Sequence, residues 1–239
     1  MDLDGRFLIA MPGLADPRFD RAVILVCAHS SEGAMGLIVN KALADLSFAS
    51  LLDQLRIPRA GAGRDIRVRF GGPVERGRGF VLHSPEYRAR QSGTMDIAGR
   101  FAMTATQDIL VALADGEGPE DALLALGYSG WGPGQLEAEI ARNDWLTAEA
   151  AADLVFSDDD RGKWAAALRR MGIDPLSLSL TAPALKSRPP ISVPVKPVAN
   201  SAGIARAAAE KSNWLAILKR CGPRAEGRMA STIESSLGL

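Results

Sequence analysis

Histidine, cysteine and aromatic residues are scarce in this 239-residue chain: two His, two Cys, and Phe, Trp and Tyr together at 5%. Cys27 and Cys221 stand too far apart to read as a disulfide framework, and no CxxC or Cys/His spacing suggests zinc. A reducing cytosol fits that usage. His29 and His83 leave little room for a Ser-His-Asp triad, and no Gly-x-Ser-x-Gly string is present to supply the serine. Few rings are on offer for base stacking. Net charge is absent as well. Lys plus Arg is 28 and Asp plus Glu is 28, which excludes a wholly basic nucleic-acid binder. The longest apolar run, Ala22 to Ala28, has strand length and is far too short to cross a bilayer. The start Met1-Asp2-Leu3-Asp4 is acidic where a signal peptide is basic. The expectation is a cytoplasmic protein with no membrane association, no metal and no cofactor.

What is present supports a packed core: 47% of residues are hydrophobic and 23% charged. The overall neutrality hides an asymmetry. Residues 180–239 hold nine Lys/Arg against three Glu, a net of +6, which leaves 19 basic against 25 acidic residues, a net of −6, in 1–179. The seam is Ser187-Arg188-Pro189-Pro190-Ile191-Ser192-Val193-Pro194, an extended, polyproline-like composition. The reading is therefore a domain over 1–179, a Pro-rich linker over 180–200 and a basic, partly helical tail over 201–239.

Within the domain, strands are expected at Phe7–Met11, Ala22–Cys27, Gly36–Val39, Gly79–His83 and Phe101–Met103. Ile66-Arg67-Val68-Arg69-Phe70 alternates, with both arginines outward. Helices are expected after a Ser47 cap, with Phe48, Leu51, Leu52 and Leu55 inward, and after the Thr104–Gln107 capping box. Others are expected from Pro119 to a Gly127 stop, from Pro133, and from an Asp160 cap to a Gly172 stop. Strands that precede helices without strict alternation favour an α+β fold. The form expected is a compact single domain with a coiled mixed or antiparallel sheet flanked by helices, plus a C-terminal extension.

Three places invite chemistry. Gly71-Gly72-Pro73, followed by Arg76 and Arg78, reads as a phosphate-contacting nest or as a tight turn. Gly127-Tyr128-Ser129-Gly130-Trp131-Gly132-Pro133-Gly134-Gln135 reads as a weak anion site before a helix, with Ser129 and Gln135 as donors, or as a loop packed closely beneath Trp131. Cys27 and His29 lie two apart on one strand, so they share a face. Cys27 is then a redox-sensitive thiol or a small buried hydrophobe. His83 is an acid/base candidate beside Glu86 or a cap for strand-end carbonyls. The basic tail is a candidate contact for nucleic acid or an acidic protein partner, although it carries no helix-turn-helix or aromatic RNA-binding signature.

Several strings taken together resemble the YqgE/AlgH family of small bacterial proteins. They are Gly5-Arg6-Phe7-Leu8-Ile9-Ala10-Met11-Pro12, Val26-Cys27-Ala28-His29, Glu32-Gly33-Ala34-Met35-Gly36-Leu37-Ile38-Val39-Asn40, Gly71-Gly72-Pro73-Val74, Arg78-Gly79-Phe80-Val81-Leu82-His83-Ser84 and Gly127 through Glu137. The resemblance runs from about residue 5 to residue 174. It implies a compact α+β fold with a coiled, bifurcated sheet, and it supplies no catalytic residues. Some members carry a transcriptional-regulator label. Members usually have Glu-His-Asn after the cysteine and Arg-Pro or Lys-Pro after the asparagine, where this chain has Ala28-His29-Ser30 and Lys41-Ala42. They also usually end near the stretch that matches Ile173-Asp174-Pro175. The expectation is a non-enzymatic regulatory or interaction protein. The alternative is a binding protein or enzyme for a phosphate-bearing small molecule, using Gly71, Gly72, Arg76, Arg78, Ser129, Gly130, Trp131, Gly132 and Gln135.

Overall fold

The computed structural model describes residues 2–14, 16–59, 63–88 and 93–181. The tail expectation, and the linker expectation beyond residue 181, lie outside the described residues; Leu180 and Thr181 belong to a helix. The elements are β1 (Arg6–Ala10), a 3-10 turn (Pro17–Phe19), β2 (Val23–Ser30), β3 (Gly33–Ile38), β4 (Ala42–Ser47), α1 (Phe48–Leu55), β5 (Arg67–Phe70), β6 (Val74–His83), β7 (Thr94–Ile97) and β8 (Phe101–Thr104). They continue with α2 (Asp108–Asp115), β9 (Ala122–Trp131), α3 (Gln135–Ala141), β10 (Trp145–Glu149), α4 (Ala152–Val155), α5 (Lys163–Arg170) and α6 (Pro175–Thr181). This is an α+β fold built on one curled sheet. No helix among the described residues is long and apolar enough to cross a membrane.

The sheet runs β10-β1-β2-β3-β9-β6-β8-β7, with β5 added to β9 and β4 to β5. Every pairing is antiparallel except β5 with β9. Strand β9 organises the whole. Its Ser129–Trp131 end pairs with β3, its Leu124–Leu126 stretch pairs with β5, and β6 lies along the other edge. The sheet therefore forks where β3 and β5 part. Alternation sorts the strand side chains onto two faces and two cores. Leu8, Ile24, Val26, Ile38 and Leu126 join α1 and α2 on one face. Phe7, Leu25, Leu37, Phe80 and Tyr128 join α4 and α5 on the other.

Local signals that the structure keeps include the α1 start, where Ser47 Oγ accepts from the Ser50 N–H at 3.1 Å. Gly172 also ends α5 in a left-handed turn, φ +75°. Four expectations are corrected. The segment from Pro119 to Gly127 is not a helix. Ala122–Trp131 is the central strand, because Leu123 to Leu126 is buried on both faces and a short apolar run carries no decisive period. The Thr104–Gln107 box caps nothing: Thr104 ends β8, and α2 begins at Asp108 without a side-chain cap. Asp160 does not cap α5, which begins at Lys163 without a side-chain cap; just before it Asp159 Oδ1 accepts from Gly162 N at 3.0 Å. Arg69 is buried rather than outward, because the segment carrying Asp160 folds over it.

Candidate functional site

The glycine-rich strings come together at the fork. The Gly71 carbonyl accepts from Ile38 N at 2.9 Å, and Gly71 N donates to Leu126 O at 2.8 Å, so this residue bridges the diverging strands. A Cβ on Gly72, whose φ is +153°, would stand 2.2 Å from the Tyr128 carbonyl carbon; one on Gly127 would stand 2.4 Å from Gly72 O. Both approaches are to backbone, which no rotamer change relieves. Ser129 is buried in β9 with its Oγ 3.4 Å from Gly71 O, and Gly130 sits in the ladder opposite Met35. Arg76 and Arg78 lie in a wide bulge of β6 between Val74 and Gly79. Arg78 is buried over the Phe80 ring and paired with Glu75 at 2.9 Å.

The other half of the string wraps a buried carboxylate. Glu139 Oε2 accepts from the indole N–H groups of Trp131 and Trp145, each at 2.8 Å, and Oε1 accepts from Gln135 Nε2 at 2.9 Å. Gly132 N donates to Gln135 Oε1 at 3.1 Å. Trp131 is thus part of a strand, not a cover over a loop. The polar groups offered for an anion at Gly132 and Gln135 are engaged with the protein itself.

The shared face expected for Cys27 and His29 is overturned by a β-bulge. The register passes from Val26↔Gly36 to Ala28↔Met35, so one residue is inserted. Cys27 stays with Leu25 and Met35 in one core, whereas His29 pairs with Ala34, whose side chain belongs to the other. Burial pushes the Cys27 thiol up to about 12, and its Sγ is 3.6 Å from Leu25 O. That is the environment of an inert core thiol. His29 Nε2 meets Glu137 Oε1 at 2.8 Å in an open cleft of about 440 Å³ shared with Asp2 and Asp4. Burial, and then Asp2, raises the Asp4 carboxyl, while a backbone hydrogen bond and His29 lower Glu137. His83 is buried. Its Nδ1 must donate to Ser84 O at 2.8 Å, so Nε2 accepts from Thr104 Oγ1 at 2.9 Å, and burial holds the imidazole below its ordinary range.

A larger groove, about 540 Å³, lies over the β4–β5 arm of the fork. Small side chains, Ala42, Ala44 and Ala122, line it together with Phe156. Arg67 and Arg69 mark one end, with Asp158 beside them; Arg64, Asp65 and Asp121 also contribute. Among the described residues, β4 pairs only with β5. Arg69 Nε donates to Asp160 Oδ1 at 2.8 Å and its Nη2 donates to Ser157 O at 3.2 Å. Arg67 Nη1 donates to Asp158 O at 2.6 Å. Behind them Lys163, fully buried, donates to Val39 O at 2.7 Å and Val155 O at 2.8 Å, and its Nζ is 3.4 Å from Asp160 Oδ1. Burial first, and then the Arg69 charge, lower Lys163 to about 8. The sequence signals only an alternating strand here. What it hides is the long-range meeting of β5 with the 157–163 segment.

The AlgH-like family model matches residues 7–176. A UPF0301 protein of Cereibacter sphaeroides strain ATCC 17023 is 69% identical over 182 residues, which is 76% of this chain and 98% of the relative. One of Bradyrhizobium diazoefficiens is 52% identical over 184 residues, covering 74% and 86%. The solution structure of the AlgH protein from Pseudomonas aeruginosa is similar at 40% identity and TM-score 0.63, covering 76% of this chain and 94% of that one. A crystal structure from Corynebacterium diphtheriae shares the fold at 23% identity and TM-score 0.58, covering 75% and 91%. On the curled, forked sheet and on these matches, the chain belongs to the AlgH-like family.

Proposed function

We propose that this protein is a cytoplasmic regulatory module that works by binding another polypeptide in the groove over β4 and β5. The observation that carries this reading is the groove itself: open, lined by Ala42, Ala44, Ala122 and Phe156 beside larger apolar and charged side chains, and adjoining a strand that pairs on one side only among the described residues. An extended segment can add to such an edge through main-chain hydrogen bonds and seat alternate side chains in the groove. The net charge of −6 in residues 1–179 favours a polypeptide over DNA for this region, because a polyanion would be repelled. The phosphate-ester alternative needs the glycine amides, and those of Gly71 and Gly132 are bonded within the protein.

The test is a photo-crosslinking amino acid at Ala44, with Val111, exposed on α2, as the surface control. The expected result is one recurring polypeptide captured at Ala44 and not at Val111, and lost when Ala42→Arg fills the groove. Equal capture at both positions, or none at Ala44, overturns the reading. Labelled-duplex anisotropy, comparing the full chain with a chain ending at residue 181 at low and high salt, tests the nucleic-acid role. Duplex binding by the shorter chain would return the regulator label to the domain.

A further inference from the structure

The charges at the Arg67–Arg69 end of the groove do not balance. Arg67, Arg69 and Lys163 carry three positive charges, against Asp158 and Asp160 within ion-pairing distance. Asp160 is shared. Its Oδ1 takes Arg69 Nε at 2.8 Å and stands 3.4 Å from Lys163 Nζ, and its Oδ2, which accepts no hydrogen bond, lies 3.5 Å from Arg67 Nη1, so one carboxylate serves three cations. Asp158 is a loose partner. Its Oδ1 is 3.8 Å from Arg67 Nε and 3.7 Å from Arg69 Nη2, beyond hydrogen-bond reach, and its side chain is 79% exposed. Arg69, by contrast, is 3% exposed. Burying a guanidinium is costly unless its charge is met, and Arg69, which lines the groove, meets Asp160 closely but Asp158 only at 3.7 Å.

We propose that this end of the groove binds an oxyanion, with Arg67 and Arg69 as its ligands and Asp158 as the internal carboxylate that gives way to it. The inference rests on the groove being the binding site and names what the partner presents there. Arg67 and Arg69 are two apart on β5, so their side chains leave the strand in the same direction, about 7 Å apart along it. That spacing lets two guanidinium forks close on one carboxylate or phosphate. The segment opposite is held by its carbonyls, Ser157 O to Arg69 and Asp158 O to Arg67, rather than by the Asp158 carboxylate. The Asp158 side chain can therefore swing into solvent while its backbone stays in place. Lys163 is lowered first by burial and then by the Arg69 charge, against the pull of Asp160 and Asp158. Asp65 and Asp121 also line the groove, and they disfavour a partner acidic along its whole length. The chemistry called for is one oxyanion on an otherwise neutral or basic segment.

The experiment titrates the full chain with inorganic phosphate, and separately with N-acetylalanine and its amide, at constant ionic strength. The readout is the Arg67 and Arg69 Nε–Hε resonances. The expected result is a saturable shift of both side chains by phosphate or by the free carboxylate, and none by the amide. Whichever probe binds tells phosphate from chain carboxylate. Arg67→Gln, at a half-exposed position, should weaken binding about tenfold, the worth of one charge-assisted pair. Asp158→Asn should tighten it by roughly threefold or more by removing the competing carboxylate, while Asp65→Asn changes it by less. No saturable shift with either oxyanion overturns the proposal. So does an equal gain from Asp158→Asn and Asp65→Asn, which would be bulk charge alone. A polypeptide captured at Ala44 whose binding ignores Arg67→Gln would keep the interaction reading and sink the oxyanion. Oxyanion binding without a captured polypeptide would do the reverse.

Discussion

The glycine fork and the charged end of the groove sit on neighbouring strands and differ in every respect that makes a sequence look functional. The fork is dense in motif: Gly71, Gly72, Gly127 and Gly130, with Arg76 and Arg78 beside it. Gly71, Gly72 and Gly127 are explained by backbone approaches of 2.2–2.4 Å where three strands part. The groove end is built from an ordinary alternating strand, two arginines and an Asp-rich turn, yet among the described residues it sets three cations against two carboxylates within ion-pairing distance. Glycine density here marks where chains must touch, and function is better sought where charge has been buried without its full complement.

The sharpest way to break this comparison is to add a methyl group at the fork. Gly72→Ala should cost about 4 kcal/mol or more, or abolish folding, because its Cβ meets the Tyr128 backbone at a positive φ. Gly134→Ala also has a positive φ, +70°, but nothing within 4 Å, so only the conformational cost of about 1–2 kcal/mol applies. Urea midpoints of the two variants check the difference. Equal costs would mean that the close approach is not what selects glycine at the fork.

A second test sets one buried carboxylate against another. Glu139 is satisfied by neutral donors, two indoles and one amide, whereas Asp160 is held between cations. Glu139→Gln keeps the shape but places an NH₂ against N–H groups. A loss of roughly 2–3 kcal/mol is expected, the scale of hydrogen bonds to a charged group. Near-UV circular dichroism should change with it, since Trp131 and Trp145 lose their common anchor. An unchanged tryptophan spectrum would remove this account of the corner.

Much of the architecture is legible in the residues. The Ser47 cap, the buried run before Cys27, the alternation of Ile66, Val68 and Phe70 and the Gly172 stop are local signals, and the structure keeps them. The misses are tertiary. Pro119-Glu120-Asp121 has the chemistry of a helix start, but Leu123–Leu126 is claimed by β5 and β6 as a strand. Asp160 looks like a cap until Arg69 arrives from 91 residues away. The inserted residue at Cys27 is invisible in a run of small and apolar residues, and it alone moves His29 to the other face. The two arginines of β5 are readable as a strand face; the burial of Arg69 is not, because the 157–163 segment that covers it is remote in sequence.

Lys163 offers a subtler probe of the charge excess. Its folded value, about 8, lies below the ordinary 10.5. Below about pH 8 both states hold the proton, and the native state bears the cost of burying it. Between about 8 and 10.5 the native state releases the proton while the unfolded chain keeps it. The unfolded state then binds more protons, so this group raises stability with pH across that window and adds nothing further above it. Cys27 and Tyr128, both raised to about 12, act in the opposite sense at alkaline pH, because the native state keeps protons that the unfolded chain gives up. The difference between the wild-type chain and Lys163→Met, followed by urea midpoint from pH 7 to 11, isolates the lysine. The variant should gain most below pH 8, and its advantage should shrink toward pH 10.5. An advantage that does not vary with pH would mean that Lys163 stays charged throughout, its two carbonyls and Asp160 outweighing burial and Arg69.

The smallest effect belongs to an ion pair away from the fork, His29 with Glu137. Glu137 is 45% exposed, so water and salt screen the pair even though His29 is covered. Glu137→Gln keeps a hydrogen-bond acceptor in place and should cost no more than about 0.5–1 kcal/mol, and less in high salt. A loss well above that range, persisting in salt, would show that the cleft between Asp4, His29 and Glu137 carries strongly coupled charge. The contrast drawn between it and the Arg69–Asp160–Lys163 cluster would then fail, because two sites rather than one would hold charge that the fold has not balanced.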